Sequence, residues 1–172
     1  MGRTRLIGAA TPDAHRYDAG MQIAQLNLAR MLAPLDDPIM ADFVASLAPV
    51  NAAADASPGF VWRLADESGT GATSIRIDDD DMLIVNMSVW SSPEDLAAFV
   101  RGQAGHVGAL RRRYEWFEHA EGPMVVLWWV EDGHRPTLAE AVERLEHLRA
   151  NGPTSRAFPF RLPVPAMDET RA

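Results

Sequence analysis

The chain of 172 residues contains no cysteine, which excludes disulfides, thiolate zinc sites, iron–sulfur clusters and covalent haem attachment. A reducing cytoplasm is the compatible location. Basic residues are also in deficit, 16 against 24 acidic ones. The resulting net charge of −8 removes the positive footprint that nucleic-acid binding needs. No apolar run approaches the roughly 20 residues of a membrane span. Residues 1–20 carry Arg3, Arg5, Asp13, His15, Arg16 and Asp18, which suits a loose leader and not a secretory signal. Leu6 breaks the acylation pattern that Gly2 would otherwise begin. Zinc-helix, phosphate-loop, dinucleotide and nucleophile-elbow motifs are all missing. Glu143 and His147 share a helix face without a second histidine, so no metal is expected.

What is present reads as one globular domain. Apolar residues make up 47% and charged residues 23%, ordinary values for a packed core with a solvated surface. The domain is expected over residues 21–165, with a leader at 1–20 and a mobile tail at 166–172. Its most informative stretch is 82–90. Alternation there puts Leu83, Val85, Met87 and Val89 on one face, and Ile84, Asn86, Ser88 and Trp90 on the other. A face that carries an amide, a hydroxyl and an indole suits the wall of an apolar pocket with a few fixed polar groups.

Periodicity and end signals give the remaining order. Residues 22–31 alternate as a strand, with Ile23, Gln25, Asn27 and Ala29 on one side and Leu26 and Leu28 on the other. Asp37 and Pro38 open a helix whose Met40, Phe43, Val44, Leu47 and Val50 form a stripe. A second strand runs from Phe60 to Leu64. The polar stretch 66–81, with its run from Asp78 to Asp81, lacks the spacing of a calcium loop and reads as a solvated connection. Ser92, Pro93 and Asp95 start a second helix, and Thr137 with Glu140 starts a third. Between them lie a glycine-broken segment around His106 and a fourth strand at 124–130. Residues 155–164 look like an edge strand.

The order β-α-β-β-α-β is the ferredoxin-like, α+β arrangement, an antiparallel sheet followed by an extra C-terminal helix and an extended arm. Its two helices lie on one face. The face with Trp90 then needs cover, from a second copy in a dimeric α+β barrel with a cavity between the sheets, or from the last helix and arm.

Several ordered segments resemble a known family: Gln25-Leu26-Asn27-Leu28-Ala29-Arg30, Pro34 to Pro38, Ser57 to Leu64, Asn86 to Trp90, Arg112 to Phe117, Leu127 to Val130 and Gly152 to Thr154. Over residues 22–165 the chain resembles the domain-of-unknown-function 3291 family. The resemblance implies the dimeric α+β-barrel superfamily, which also includes antibiotic-biosynthesis and haem-degrading monooxygenases. In the haem degraders an asparagine, a tryptophan and a histidine act together. Asn27 is similarly placed, whereas Phe99 and Ala109 stand where the other two belong.

The expected function is therefore a cytoplasmic, homodimeric enzyme for an apolar or aromatic small molecule. A monooxygenase-like oxidation or an acid–base rearrangement in secondary metabolism fits best. The alternative is a non-catalytic protein that binds a small ligand or haem. His106 and Asn27 are the candidate catalytic residues. Gln25, Trp62, Asn86, Ser88, Trp90, Arg113, Trp116 and Trp129 are the candidate substrate-binding residues. Alternation fixes parity but not direction, so Trp62 against Arg63, and Trp128 against Trp129, stay open. No cofactor is called for, and haem and flavin both remain open.

Overall fold

The computed structural model describes residues 20–67, 71–102 and 112–161. Strands β1 (Met21–Arg30), β2 (Phe60–Arg63), β3 (Leu83–Trp90) and β4 (Val125–Glu131) form one sheet in the order β2-β3-β1-β4. Every pairing is antiparallel. Helices α1 (Ala41–Asp55), α2 (Pro93–Gly102) and α3 (Leu138–Asn151) complete the ferredoxin-like unit and its extra C-terminal helix. Among the described residues no helix is long and apolar enough to cross a membrane.

The helix ends follow the local chemistry. Asp37 accepts the backbone N–H of Ile39 at 3.0 Å and opens a 3-10 turn, Pro38–Met40, that leads directly into α1. Ser92 accepts the Asp95 N–H at 3.1 Å and donates to its carboxylate at 2.7 Å, a reciprocal cap that starts α2. Thr137 accepts from the Glu140 N–H at 3.2 Å ahead of α3. Gly59, with φ +74°, turns the chain between α1 and β2. A Cβ there would sit 2.3 Å from the Asp95 carboxylate, so both conformation and space demand glycine.

The two sheet faces have different cover. Ala24, Leu26, Leu28, Val85, Met87, Val89, Val126, Trp128 and Val130 make one apolar face, and Ala141, Leu145 and Leu148 of α3 pack on it. Trp128 also donates its indole N–H to Glu140 at 2.9 Å, which ties β4 to α3. The opposite face lies under α1 and α2. There Ile23, Trp90, Leu127 and Trp129 join Ala54 of α1 and Leu96 and Phe99 of α2. At its far end, Met31, Met40 and Trp116 cluster with Phe43 and Ile84.

This reverses one expectation. The Trp90 face is the one beneath the first two helices, and the wholly apolar face is closed by α3 inside the same chain. A cavity on the Trp90 face therefore lies between sheet and helices, not between two sheets. Of the edge strand expected at 155–164, the described residues 155–161 meet the sheet at one bridge, with Phe158 exchanging backbone hydrogen bonds with Leu127 at 2.8 and 2.9 Å. Pro159 follows at once and has no N–H to continue the ladder. In α1 Phe43, Leu47 and Val50 are half-buried, but Val44 is 40% exposed and lies off the buried stripe.

Two carboxylates of the acidic run in the β2–β3 connection are engaged in ion pairs. Asp80 bonds the Arg30 guanidinium, and Asp81 pairs with Arg76 at 2.7 Å. Glu143 pairs with Arg156 at 2.7 Å, and His147 bonds the Thr154 hydroxyl at 3.0 Å. Among the described residues no group of three acidic or histidine side chains gathers as a metal site would require.

A polar strip on the helix-covered face of the sheet

The register of the sheet assembles the candidate site. Gln25 of β1 lies opposite Ser88 of β3 and Leu127 of β4, and Asn27 lies opposite Asn86 and Val125. Gln25, Asn27, Asn86 and Ser88 thus form a polar strip on the face beneath α1 and α2, between the two aromatic clusters. Gln25 Nε2 donates to Asn86 Oδ1 at 2.8 Å and to Ser88 Oγ at 3.2 Å. Trp90 Nε1 donates to the same Ser88 oxygen at 2.9 Å. Ser88 is buried, Gln25 half-buried, and Asn27 and Asn86 are exposed. The strip therefore opens from a buried hydroxyl to two accessible amides.

Helix α1 is anchored at both ends of this strip. Phe43 packs at one end on Trp116, ring centroids 5.7 Å apart, and Ala54 joins the Trp90 cluster at the other. A separate shallow groove of about 210 Å³, lined by Ser57, Pro58, Asp95, Ala98, Phe99 and Gly102, touches the α2 end and contains none of the strip's amides.

Trp90 belongs to the site in a different capacity from the one expected. It is 1% exposed, with Phe99 stacked on it at 5.1 Å and Phe60 in a T-shaped contact at 5.4 Å. So buried, it cannot stack on a substrate. What it contributes to the strip is its indole N–H, donated to Ser88. Trp129 shares this face but packs on Phe158 and is 9% exposed. Trp116 is buried in the far cluster beneath the Arg112 guanidinium, 4.9 Å from its ring centre.

Two other assignments are corrected. Trp62 points to the α3-covered face, where it packs with the large cluster. The reason is a bulge: Phe60 pairs with Trp90, but Trp62, not Val61, pairs with Val89. One extra residue reverses the parity of all that follows on β2. Arg63 consequently lies opposite Ser88 on the polar face, and its guanidinium grips Asp55 at 2.8 and 3.2 Å. Arg113, expected to turn inward, is exposed and lies over the Tyr114 ring at 4.5 Å. The inward arginine is Arg63, and only the bulge would have revealed it. His106 lies outside the described residues.

The resolved electrostatic shifts lie away from the strip. The hydrogen bond from Arg30, then the N–H of Met82, hold the Asp80 carboxyl below the usual range, and Asp80 in turn raises Arg30. Arg112 is raised by Glu115 and then by Asp42. The rows of the strip contain no carboxylate or imidazole among the described residues. They offer hydrogen bonds and one cation.

Several solved structures are similar to this chain. One is SnoaB, a cofactor-independent oxygenase from Streptomyces nogalater, at 18% identity over 70% of this chain and 98% of that one, with a TM-score of 0.41. A candidate antibiotic biosynthesis monooxygenase from Chloroflexus aurantiacus is 14% identical over 68% and 98%, also at 0.41. A protein of unknown function from Nitrosomonas europaea, NE2512, is 15% identical over 68% and 94%, again at 0.41. No curated protein matches the chain. The model of the family described as a domain of unknown function, DUF3291, matches residues 22–172, and the chain belongs to that family.

Proposed function

We propose that this protein is an enzyme for an apolar or aromatic small molecule held over the polar strip between the sheet and α1. The reaction class is a monooxygenase-like oxidation or an acid–base rearrangement. One observation carries this reading. A hydrogen-bonded indole, hydroxyl and amide set opens onto two exposed asparagines between two aromatic clusters. That combination of apolar walls and a few convergent polar groups is what small-molecule sites share. Asn27 and Asn86 would position the ligand, Ser88 would bond one of its oxygens, and Trp90 would hold Ser88 in place. His106 keeps the role of acid or base on its sequence context alone.

A second reading has its own support. Because the rows of the strip carry no described carboxylate or imidazole, they can bind without moving a proton. A non-catalytic carrier of a small ligand, haem included, follows from that composition. Native mass spectrometry of the protein as purified, followed by a turnover screen on any ligand released, separates the two. The enzyme reading expects consumption of that ligand, abolished in Asn27→Ala or His106→Ala without loss of melting temperature. Stoichiometric retention with no turnover would support the carrier. Full activity in both variants would remove these residues from the mechanism.

A further inference from the structure

We infer that the strip recognises an anionic oxygen on its ligand (a carboxylate, phenolate or enolate), and that Ser88 and Arg63 are the residues that read it. This rests on the strip being the ligand site. A serine hydroxyl has one proton to donate and two positions at which to accept. Ser88 Oγ accepts from Trp90 Nε1 at 2.9 Å and from Gln25 Nε2 at 3.2 Å, so both accepting positions are filled. An indole N–H can only donate, which fixes the direction of that bond. The serine proton must therefore point away from both, and no acceptor among the described residues takes it. Ser88 is 7% exposed, so bulk water is a poor substitute.

The second branch has the same polarity. Asn86 Oδ1 accepts from Gln25 at 2.8 Å, and the amide of the exposed Asn86 keeps its two Nδ2 hydrogens to donate. Both branches thus terminate in donors, and each accepted bond polarises the next donor along the chain. Arg63 adds positive charge in the same row, directly across from Ser88. Asp55 holds it through two nitrogens and offsets part of its charge. Preorganised donors with a nearby guanidinium, and no facing carboxylate in these rows, favour negative charge on an incoming oxygen. A hydrogen-bond network serving only to brace the sheet would need an acceptor for the Ser88 proton.

The probe is 4-nitrophenol, whose phenol and phenolate absorb at different wavelengths, with 4-nitroanisole as its uncharged analogue. The whole chain is titrated with each across neutral pH. The expected result is phenolate binding about tenfold tighter than phenol, seen as a lowered pKa of the bound probe. Ser88→Ala should remove most of that preference, and Ser88→Thr should restore it. Asp55→Asn, on the exposed side of the pair, should enlarge it by releasing the Arg63 charge. Equal binding of the two probes with an unshifted pKa would overturn the anion reading while the site itself stood. Binding of neither would overturn the site as well. A preference unchanged in both Ser88→Ala and Asp55→Asn would place the anion elsewhere.

Discussion

Asp80 is the carboxylate through which acid should act most directly on this fold. It accepts from Arg30 and from the Met82 N–H at 2.9 Å, and both bonds favour its ionised form. Its folded pKa is depressed, so it binds protons less tightly folded than unfolded. The stability it contributes is then present above the unfolded carboxylate value, about 4, and is lost as pH falls through the lower folded value. Arg30 stays charged throughout and titrates nothing in that window. Asp80→Asn should unfold at lower urea than the parent at pH 7, and should lose stability less steeply between about pH 5 and pH 2. Equal slopes would mean that the pair contributes nothing, a common result for partly exposed ion pairs. At this scale the caps at Asp37, Ser92 and Thr137 were legible, because each depends on neighbours two or three residues away. The exchange of Trp62 for Arg63 was not. Nothing in Phe60-Val61-Trp62-Arg63 marks the bulge, which depends on how β2 meets β3.

Among the elements, α1 and α3 read alike in sequence and behave differently in the fold. Leu138, Ala141, Leu145 and Leu148 of α3 repeat on one side, and Leu145 is 1% exposed against the apolar sheet face. The apolar residues of α1 spread further round the helix, and Pro49 removes an N–H from its interior. Both Val44 and Leu145 fall in an apparent apolar stripe, yet only one is buried. Leu145→Ala should cost about 2–5 kcal/mol, the range for a buried leucine that leaves a cavity. Val44→Ala should cost no more than about 0.5 kcal/mol. Urea unfolding of the two variants checks the contrast. A loss of a full kcal/mol or more at Val44 would mean that α1 buries a second side. The strip itself was half legible for a related reason. Alternation placed Gln25 with Asn27, and Asn86 with Ser88, on common faces. It could not say that Phe60 and Phe99 would pack on Trp90 and bury it.

For the whole molecule, the deciding fact is that one chain covers both faces of its own sheet. A sheet with one uncovered apolar face would need a second copy to fold, and that was the case for the dimeric barrel. Here nine apolar side chains on the face opposite Ser88 lie under 10% exposed with α3 packed on the cluster, and Trp62 and Leu83 at its margin are half-buried. Folding should therefore be independent of partner concentration. If the folded state were an obligate face-to-face dimer, a hundredfold rise in protein concentration would stabilise it by about 2.7 kcal/mol. That is about 1.4 kcal/mol per chain, and with a urea dependence of about 1–3 kcal/mol per molar for each chain it would move the midpoint by roughly 0.5–1.4 M. We expect no such movement between micromolar and hundred-micromolar protein. A homodimer formed after folding, through surfaces other than this face, would leave the midpoint nearly fixed and appear only as a change in mass. A midpoint that rises as calculated would mean that α3 gives way to a second sheet, and the cover of the apolar face would then have to be redrawn between two chains.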